Sequence, residues 1–486
     1  MHKILRPLSI HEASFPVYGQ LSPGGGNIVS CLHVHGPLTA EACEQSLQHL
    51  MSTQQGLQVG VQWFKKNEIP WKKPGYAFVQ LNDAMPSFSV SKIEEESYNV
   101  KVAERCHALL NQPFEDGHLL WRAHLLSDHK NNNHTLFICI NHCISDGASV
   151  TTMLTQWLAH MHRDRKHNLK ATALKGLAEP LWASMPKKMA HFLGAFKSLD
   201  VLPVFIKGQK LADHGLNFES GCNVPAQEHR CLCTHRTLTK AHSQQLISHS
   251  KQLNKRVHGL ISASLIQALL AQCEQDNRLQ GLKKRFEIPF VSSVDMRNKL
   301  EPHQQRAVSD ETALGCLSSG VVSKVKVDLD KIPQSYDLNP WQLGDQVSQG
   351  IVSAFKQHQH WKVLRFYQVV GLKGLKKMFM DASEKPLATP LSLANLGSVN
   401  FKQNGSEPLT VKGYEVYAAF HASGAGVNVT ANTVNGALTL CFTCPSPAMS
   451  QLHLEAYAQK VLQTLEQWSD SGSHHSLNKD LMLKHA

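Results

Sequence analysis

The spacing of apolar residues sets out an architecture before any motif is considered. Residues 136–140 form an unbroken apolar run with aromatic and β-branched members, which reads as a buried strand. Beyond a short polar turn, Val150, Met153, Leu154, Trp157, Leu158 and Met161 recur at i, i+3, i+4, i+7, i+8 and i+11. That spacing puts them on one face of an amphipathic helix. Residues 141–147 therefore stand at a strand-to-helix junction, where side chains open onto a cleft more readily than in mid-element.

The same reading predicts strands near 27–35, 59–64, 76–81, 230–236, 414–422, 426–433 and 437–444. A further strand starts at Phe286 and runs into Val294-Asp295-Met296-Arg297. Helices are predicted near 100–111, 240–252, 257–275 and 450–468. One more is N-capped by Thr39, carries Cys43, Leu47, Leu50 and Met51 on its apolar face, and is ended by Gly56. The polar tail from Ser469 is expected to fray. Between about 169 and 216 the texture becomes apolar and basic with interspersed prolines. This stretch reads as a crossover between two domains; the other reading is an amphipathic surface that touches membrane or a lipidic substrate. The expected division is a first half at 1–175, a crossover at 176–215 and a second half at 216–486.

Composition narrows the class. A chain of 486 residues has room for two or three domains, and 42% hydrophobic content argues for ordered cores. No apolar stretch reaches membrane-spanning length, and the opening residues lack the apolar core of a signal peptide. The 12 cysteines are scattered without framework spacing, so they are expected to be reduced, in a cytoplasmic protein. The sequons at Asn133 and Asn428 would then be idle. The net charge of +11 suits a polyanionic ligand or simple solubility. Its dispersed lysines and arginines do not suit nucleic acid. Gly24-Gly25-Gly26 is no phosphate loop, because no Gly-Lys-Ser/Thr follows and a strand comes next.

Within the junction, His142 and Asp146 are the residues with chemistry to offer. A neutral imidazole suits proton abstraction because its pKa lies near working pH. Read alone, His142 is a core histidine, Asp146 an N-cap and Arg297 a surface residue. Cys143 has no partner at nucleophile or ligand spacing, and no Gly-x-Ser-x-Gly elbow is present. His160, His162 and His167 give only a loose group, so no metal is expected.

His142-Cys-Ile-Ser-Asp146-Gly147, between a buried strand and a helix, resembles the active-site motif of the CoA-dependent acyltransferase superfamily. That superfamily includes chloramphenicol acetyltransferase, peptide-synthetase condensation domains, alcohol acetyltransferases and polyketide-associated acyltransferases. Three further stretches are similar to family segments in the right order. They are Pro113-Phe114 with Leu120-Trp-Arg122, Val294-Asp-Met-Arg297 before Leu314-Gly315-Cys316, and Ser392-Leu-Ala-Asn395-Leu-Gly397. The chain departs from the two-histidine form by carrying Asn141 in the first place.

The resemblance implies an α/β fold of mixed sheets, with two chloramphenicol-acetyltransferase-like domains and the site in a channel between them. It implies acyl transfer from acyl-CoA to a hydroxyl, with His142 as base and Asp146 tied to Arg297. Gly147 would permit close chain approach. Asn141, Ser145 and Asn395 are expected along the channel. Acyl-CoA would be co-substrate rather than bound cofactor, the acceptor a small alcohol or amine, and an acyl carrier protein an alternative donor. The chain is expected to be monomeric. Two other functions stand beside this one: condensation-type amide formation or wax-ester and acylglycerol synthesis, and a non-catalytic thioester- or lipid-binding protein.

Overall fold

The computed structural model describes residues 2–68, 73–82, 84–93, 97–162, 174–218, 225–302, 305, 314–331, 340–383, 389–401, 409–419, 426–446 and 448–482. His167 and residues 169–173 of the apolar, basic stretch lie outside them.

The first half runs β1 (Lys3–Pro7), α1 (Ile10–Leu21), β2 (Asn27–His35), α2 (Ala40–Thr53), β3 (Val59–Phe64), β4 (Gly75–Gln80), β5 (Phe88–Lys92), α3 (Tyr98–Leu110), β6 (Trp121–Asp128), β7 (Asn133–Asn141) and α4 (Gly147–His162). β7 lies between β2 and β6 in a five-stranded mixed sheet whose order is β12 (Thr410–Ala418), β2, β7, β6, β5. Both of its faces are covered, which is why its sequence is a continuous apolar run rather than an alternation. β1, β4 and β3 form a separate small antiparallel sheet.

The second half builds a six-stranded mixed sheet from β8 (Cys231–Thr237), β9 (Arg285–Asp295), β10 (Ser318–Asp328), β11 (Leu391–Ser398), β13 (Val427–Val434) and β14 (Ala437–Pro445). Their order is β10-β9-β11-β13-β14-β8. Helices Lys240–Gln252 and Val257–Gln275 match the predicted boundaries. One strand does not stay with its half. β12 (Thr410–Ala418) pairs antiparallel with β2, from Thr410 opposite His35 to Ala418 opposite Ile28, and completes the first sheet.

Two helices that the spacing did not predict shape the centre. α1 opens with a reciprocal cap: Ser9 Oγ accepts from Glu12 N at 3.2 Å, and Glu12 Oε2 accepts from Ser9 N at 2.8 Å. Helix Gln359–Ser383 is kinked at Gly371, whose φ of 68° and ψ of 170° leave the helical region. It packs along α1, with Phe379 stacked on Tyr18 at 4.1 Å and Tyr367 beside His11 at 6.1 Å.

The crossover is a string of short helices, Lys187–Ala190, Phe192–Ser198 and Leu202–Asp213. The last helix, Gln451–Met482, runs past Ser469, where fraying was expected. Its buried face, with Leu454, Tyr457, Val461 and Leu465, anchors the part before Ser469.

Candidate active site

The end of β7, the start of β2 and the end of β12 meet at one edge of the first sheet. His142 N donates to Gly26 O at 2.8 Å, Gly26 N to Ala419 O at 2.8 Å, and Ala419 N to Asn27 O at 2.8 Å. The glycines before β2 have a structural reason. At Gly24, with φ +73°, a Cβ would sit 1.9 Å from Leu110 O. The turn therefore packs against the end of α3 and carries the carbonyl that holds His142.

α4 starts on Asp146. Its Oδ1 accepts from Ser149 N at 2.8 Å, and its backbone carbonyl accepts from Val150 N at 3.0 Å. The same carboxylate takes a two-pronged bond from Arg297, Nη1 to Oδ2 at 3.0 Å and Nη2 to Oδ1 at 2.9 Å. Leu317 N donates to Oδ2 at 3.0 Å. Arg297 also reaches Asp295 Oδ1 and Ser149 Oγ, at 2.9 and 2.7 Å. Ser149 Oγ in turn donates to Gly315 O at 3.2 Å. The pairing expected of Arg297 with Asp146 is thus present. Its effect is to tie the first-half turn to β9 and to the Leu314–Leu317 segment of the second half. Burial pushes the Asp146 carboxyl up, but the charge and hydrogen bonds of Arg297, with the Ser149 N–H, together outweigh it and hold the group below its ordinary 3.8.

Gly147 is set by the other half as well: a Cβ there would lie 2.9 Å from Leu396 Cδ2 on β11. The Pro113-Phe114 and Leu120-Trp-Arg122 segments meet each other. The Arg122 guanidinium lies 4.0 Å from the Phe114 ring centroid and donates to Pro113 O at 2.7 Å.

His142 is 8% exposed, and its ring stacks on Phe15 of α1 at 4.4 Å with the planes 5° apart. Its Nδ1 lies 3.6 Å from Cys316 Sγ, which lies 3.7 Å from His11 Nδ1. Burial lowers the His142 pKa below 6.5, and the Asp146 charge only partly offsets this. The ring is neutral at neutral pH and able to accept a proton. Burial, with His142 as neighbour, takes His11 to about 3, so it is neutral too. Burial raises the Cys316 thiol well above its ordinary value, so it stays protonated and is no nucleophile.

These groups open onto a cavity of about 610 Å³, within the range of small-molecule clefts. One side is first-half structure, including His142, Phe15 and Thr151; the other is Ser293 of β9, Ser318 of β10 and Asn395 of β11. Asn395 thus lines the channel as expected, its Oδ1 accepting from Gly397 N at 2.9 Å. Asn141 and Ser145 do not. Asn141 is turned to the far side, where its Oδ1 accepts from Cys143 N and it borders a separate 50 Å³ cavity with Asn27 and Pro113. Ser145 is fully buried, its hydroxyl donating to the Asp146 carbonyl at 3.2 Å. Residues in the tight turn between His142 and α4 are spent on turn hydrogen bonds.

Sequence spacing missed the α1 residues His11, Phe15 and Tyr18 and the kinked-helix residues Leu364 and Tyr367, all on the cavity wall. Ser9 three residues before Glu12 was the available signal for α1. Among the described residues, no group of three His, Cys, Asp or Glu side chains is placed to hold a metal ion.

Two mixed-sheet lobes with a channel between them make a two-lobed α/β architecture, and it is similar to that of solved acetyltransferase and condensation-domain structures. Trichothecene 15-O-acetyltransferase from Fusarium sporotrichioides superposes with a TM-score of 0.70 at 12% identity, over 95% of this chain and 94% of that one. Polyketide synthase associated protein 5 from Mycobacterium tuberculosis gives 0.62 at 12% identity, over 96% and 100% of the two chains. The first condensation domain of the CDA synthetase gives 0.63 at 12% identity, over 96% of each. The likeness is one of fold. No family model matches the sequence, and no curated protein does.

Proposed function

We propose that the chain transfers an acyl group from acyl-CoA to a hydroxyl acceptor, with His142 as general base. The observation that carries this reading is a buried, neutral histidine opening onto a cavity walled by both lobes. Donor and acceptor entering such a channel would meet at the ring. The imidazole takes the hydroxyl proton as the oxygen attacks the thioester carbon; the tetrahedral intermediate then collapses, expelling the CoA thiolate, which takes the proton back. The lining offers Ser293, Ser398 and Asn400, donors of the type a developing oxyanion needs. Asp146 acts through position: its oxygens are engaged by Arg297, Ser149 and Leu317, so its part is to hold the turn beneath the base.

The test is to supply acetyl- and longer acyl-CoAs with a panel of alcohols and amines and to follow free thiol. Acceptor-dependent release is expected, falling about 10²–10⁴-fold in His142→Ala. An amine-only response would move the reaction to amide formation. Silence with CoA still raising the melting temperature would favour a carrier-bound donor or a binding role. Silence without CoA binding would overturn the assignment.

A further inference from the structure

The crossover helices carry a face unlike the rest of the surface. Helices Phe192–Ser198 and Leu202–Asp213 are joined by a tighter turn, Leu199–Val201, whose flanking residues Ser198 and Leu202 both have helical dihedrals. The segment therefore presents nearly continuous helical faces. Val201, Val204 and Ala212 point inward and are buried. On the outer side, Phe196, Leu199 and Ile206 fall at i, i+3 and i+10, exposed by 59, 38 and 57%. Lys197, Lys207 and Lys210 are exposed among them. Of the acidic residues nearby, Asp200 is already engaged by Lys362 at 2.7 Å.

The segment packs on the kinked helix Gln359–Ser383, which exposes Lys373, Lys376 and Lys377 together with Val369. The inner side of that same helix supplies Val363, Leu364 and Tyr367 to the cavity wall.

We propose that this face docks the chain onto an anionic lipid bilayer as a peripheral protein. Exposed Phe, Leu and Ile side chains interleaved with lysines on a helical face are what an interfacial helix needs: an apolar edge for the acyl boundary and cations for the headgroups. The overall charge of +11 acts in the same direction. No helix among the described residues is long and apolar enough to cross a membrane, so the contact is with the surface. The docking stands apart from the acyl-transfer reading, because vesicle binding is measured without turnover.

The experiment is co-sedimentation of the full chain with vesicles of phosphatidylcholine alone and with a third of phosphatidylserine, at low and at several-fold higher salt. Binding to the anionic vesicles is expected, weakening as salt rises. Lys207→Glu with Lys210→Glu should weaken it about 25-fold or more, at about fivefold per lysine charge lost. Phe196→Ser with Ile206→Ser should weaken it more than about tenfold. Both pairs replace exposed side chains, so the melting temperature should hold. Absence of binding to anionic vesicles would overturn the proposal, as would equal binding to neutral ones or binding that neither pair of substitutions alters. A concentration-dependent dimer lost in the Phe196→Ser and Ile206→Ser variant, without vesicle binding, would assign the face to a second copy instead.

Discussion

Arg297→Ala is the substitution whose consequences the geometry specifies most fully. It strands a carboxylate whose side chain is 4% exposed and leaves it two backbone donors, Ser149 N and Leu317 N. Removing one partner of a buried pair costs roughly 3–5 kcal/mol. Because the Arg297 side chain is 23% exposed, water can partly replace it, so the lower end, about 3 kcal/mol, is expected. Arg297→Lys should recover only part of this, since one ammonium cannot span both oxygens and also reach Ser149 Oγ.

The pH dependence has a definite sign. In the wild type the folded carboxyl lies below 3.8, so the pair's contribution is present above that value and is lost as pH falls through the lower folded one. In Arg297→Ala burial is uncompensated, which raises the carboxyl, and protonation then removes the stranded charge. The stability gap should be widest near neutral pH and narrow toward about pH 4. Urea titrations followed by tryptophan fluorescence read it directly, because Trp157 is buried on α4 itself. A gap below about 0.5 kcal/mol at neutral pH, the value of an exposed pair, would refute the reasoning. So would a gap that widens in acid.

Further outcomes follow from the same geometry. If His142 is the base, kcat/KM should be flat around neutrality and fall in acid with a midpoint below 6.5; a midpoint above neutrality would contradict the burial argument. Gly147→Ala brings a Cβ to 2.9 Å from Leu396 Cδ2, the end of a side chain that can turn aside, so it should cost less than about 1 kcal/mol in thermal melts; a larger loss would show that Leu396 is held rigidly. Ser149→Ala removes the acceptor of Arg297 Nη2 and the donor to Gly315 O. A loss of about 1–2 kcal/mol is expected, with faster hydrogen exchange at Leu317 N–H.

The parts of the molecule legible in sequence are those with strong local periodicity. The β7 run and the α4 stripe appear where expected, and so do helices Lys240–Gln252 and Val257–Gln275. Motif and resemblance pointed to His142, Asp146, Gly147 and Arg297, and the two-pronged Arg297–Asp146 bond joins the two halves beside them. The wall of the cavity was harder to see. α1 contains Pro16 and exposes little of itself, so its apolar residues show no clean face, and only its cap betrays it. The kinked helix changes direction at Gly371, which breaks the phase of its apolar positions. Ser145 sits close to the base in sequence yet faces away from the channel, because turn backbone, unlike a helix or strand, gives no rule for side-chain direction, and Asn141 closes β7 with its side chain capping the turn instead. The partner of β12 could not be read locally, since nothing in Thr410–Ala418 names a strand nearly four hundred residues earlier.

That exchanged strand bears on how the protein can be divided. β2 is nine residues long and occupies its sheet with β12 on one side and β7 on the other. A fragment ending at the crossover would leave β2 as a bare, apolar sheet edge, ready to pair with any strand it meets. Such a fragment should aggregate when made alone and become soluble only when the second fragment is synthesised beside it. The two halves are thus obligate companions in folding, and a break in the chain at the crossover would yield a split protein that reassembles rather than two independent domains.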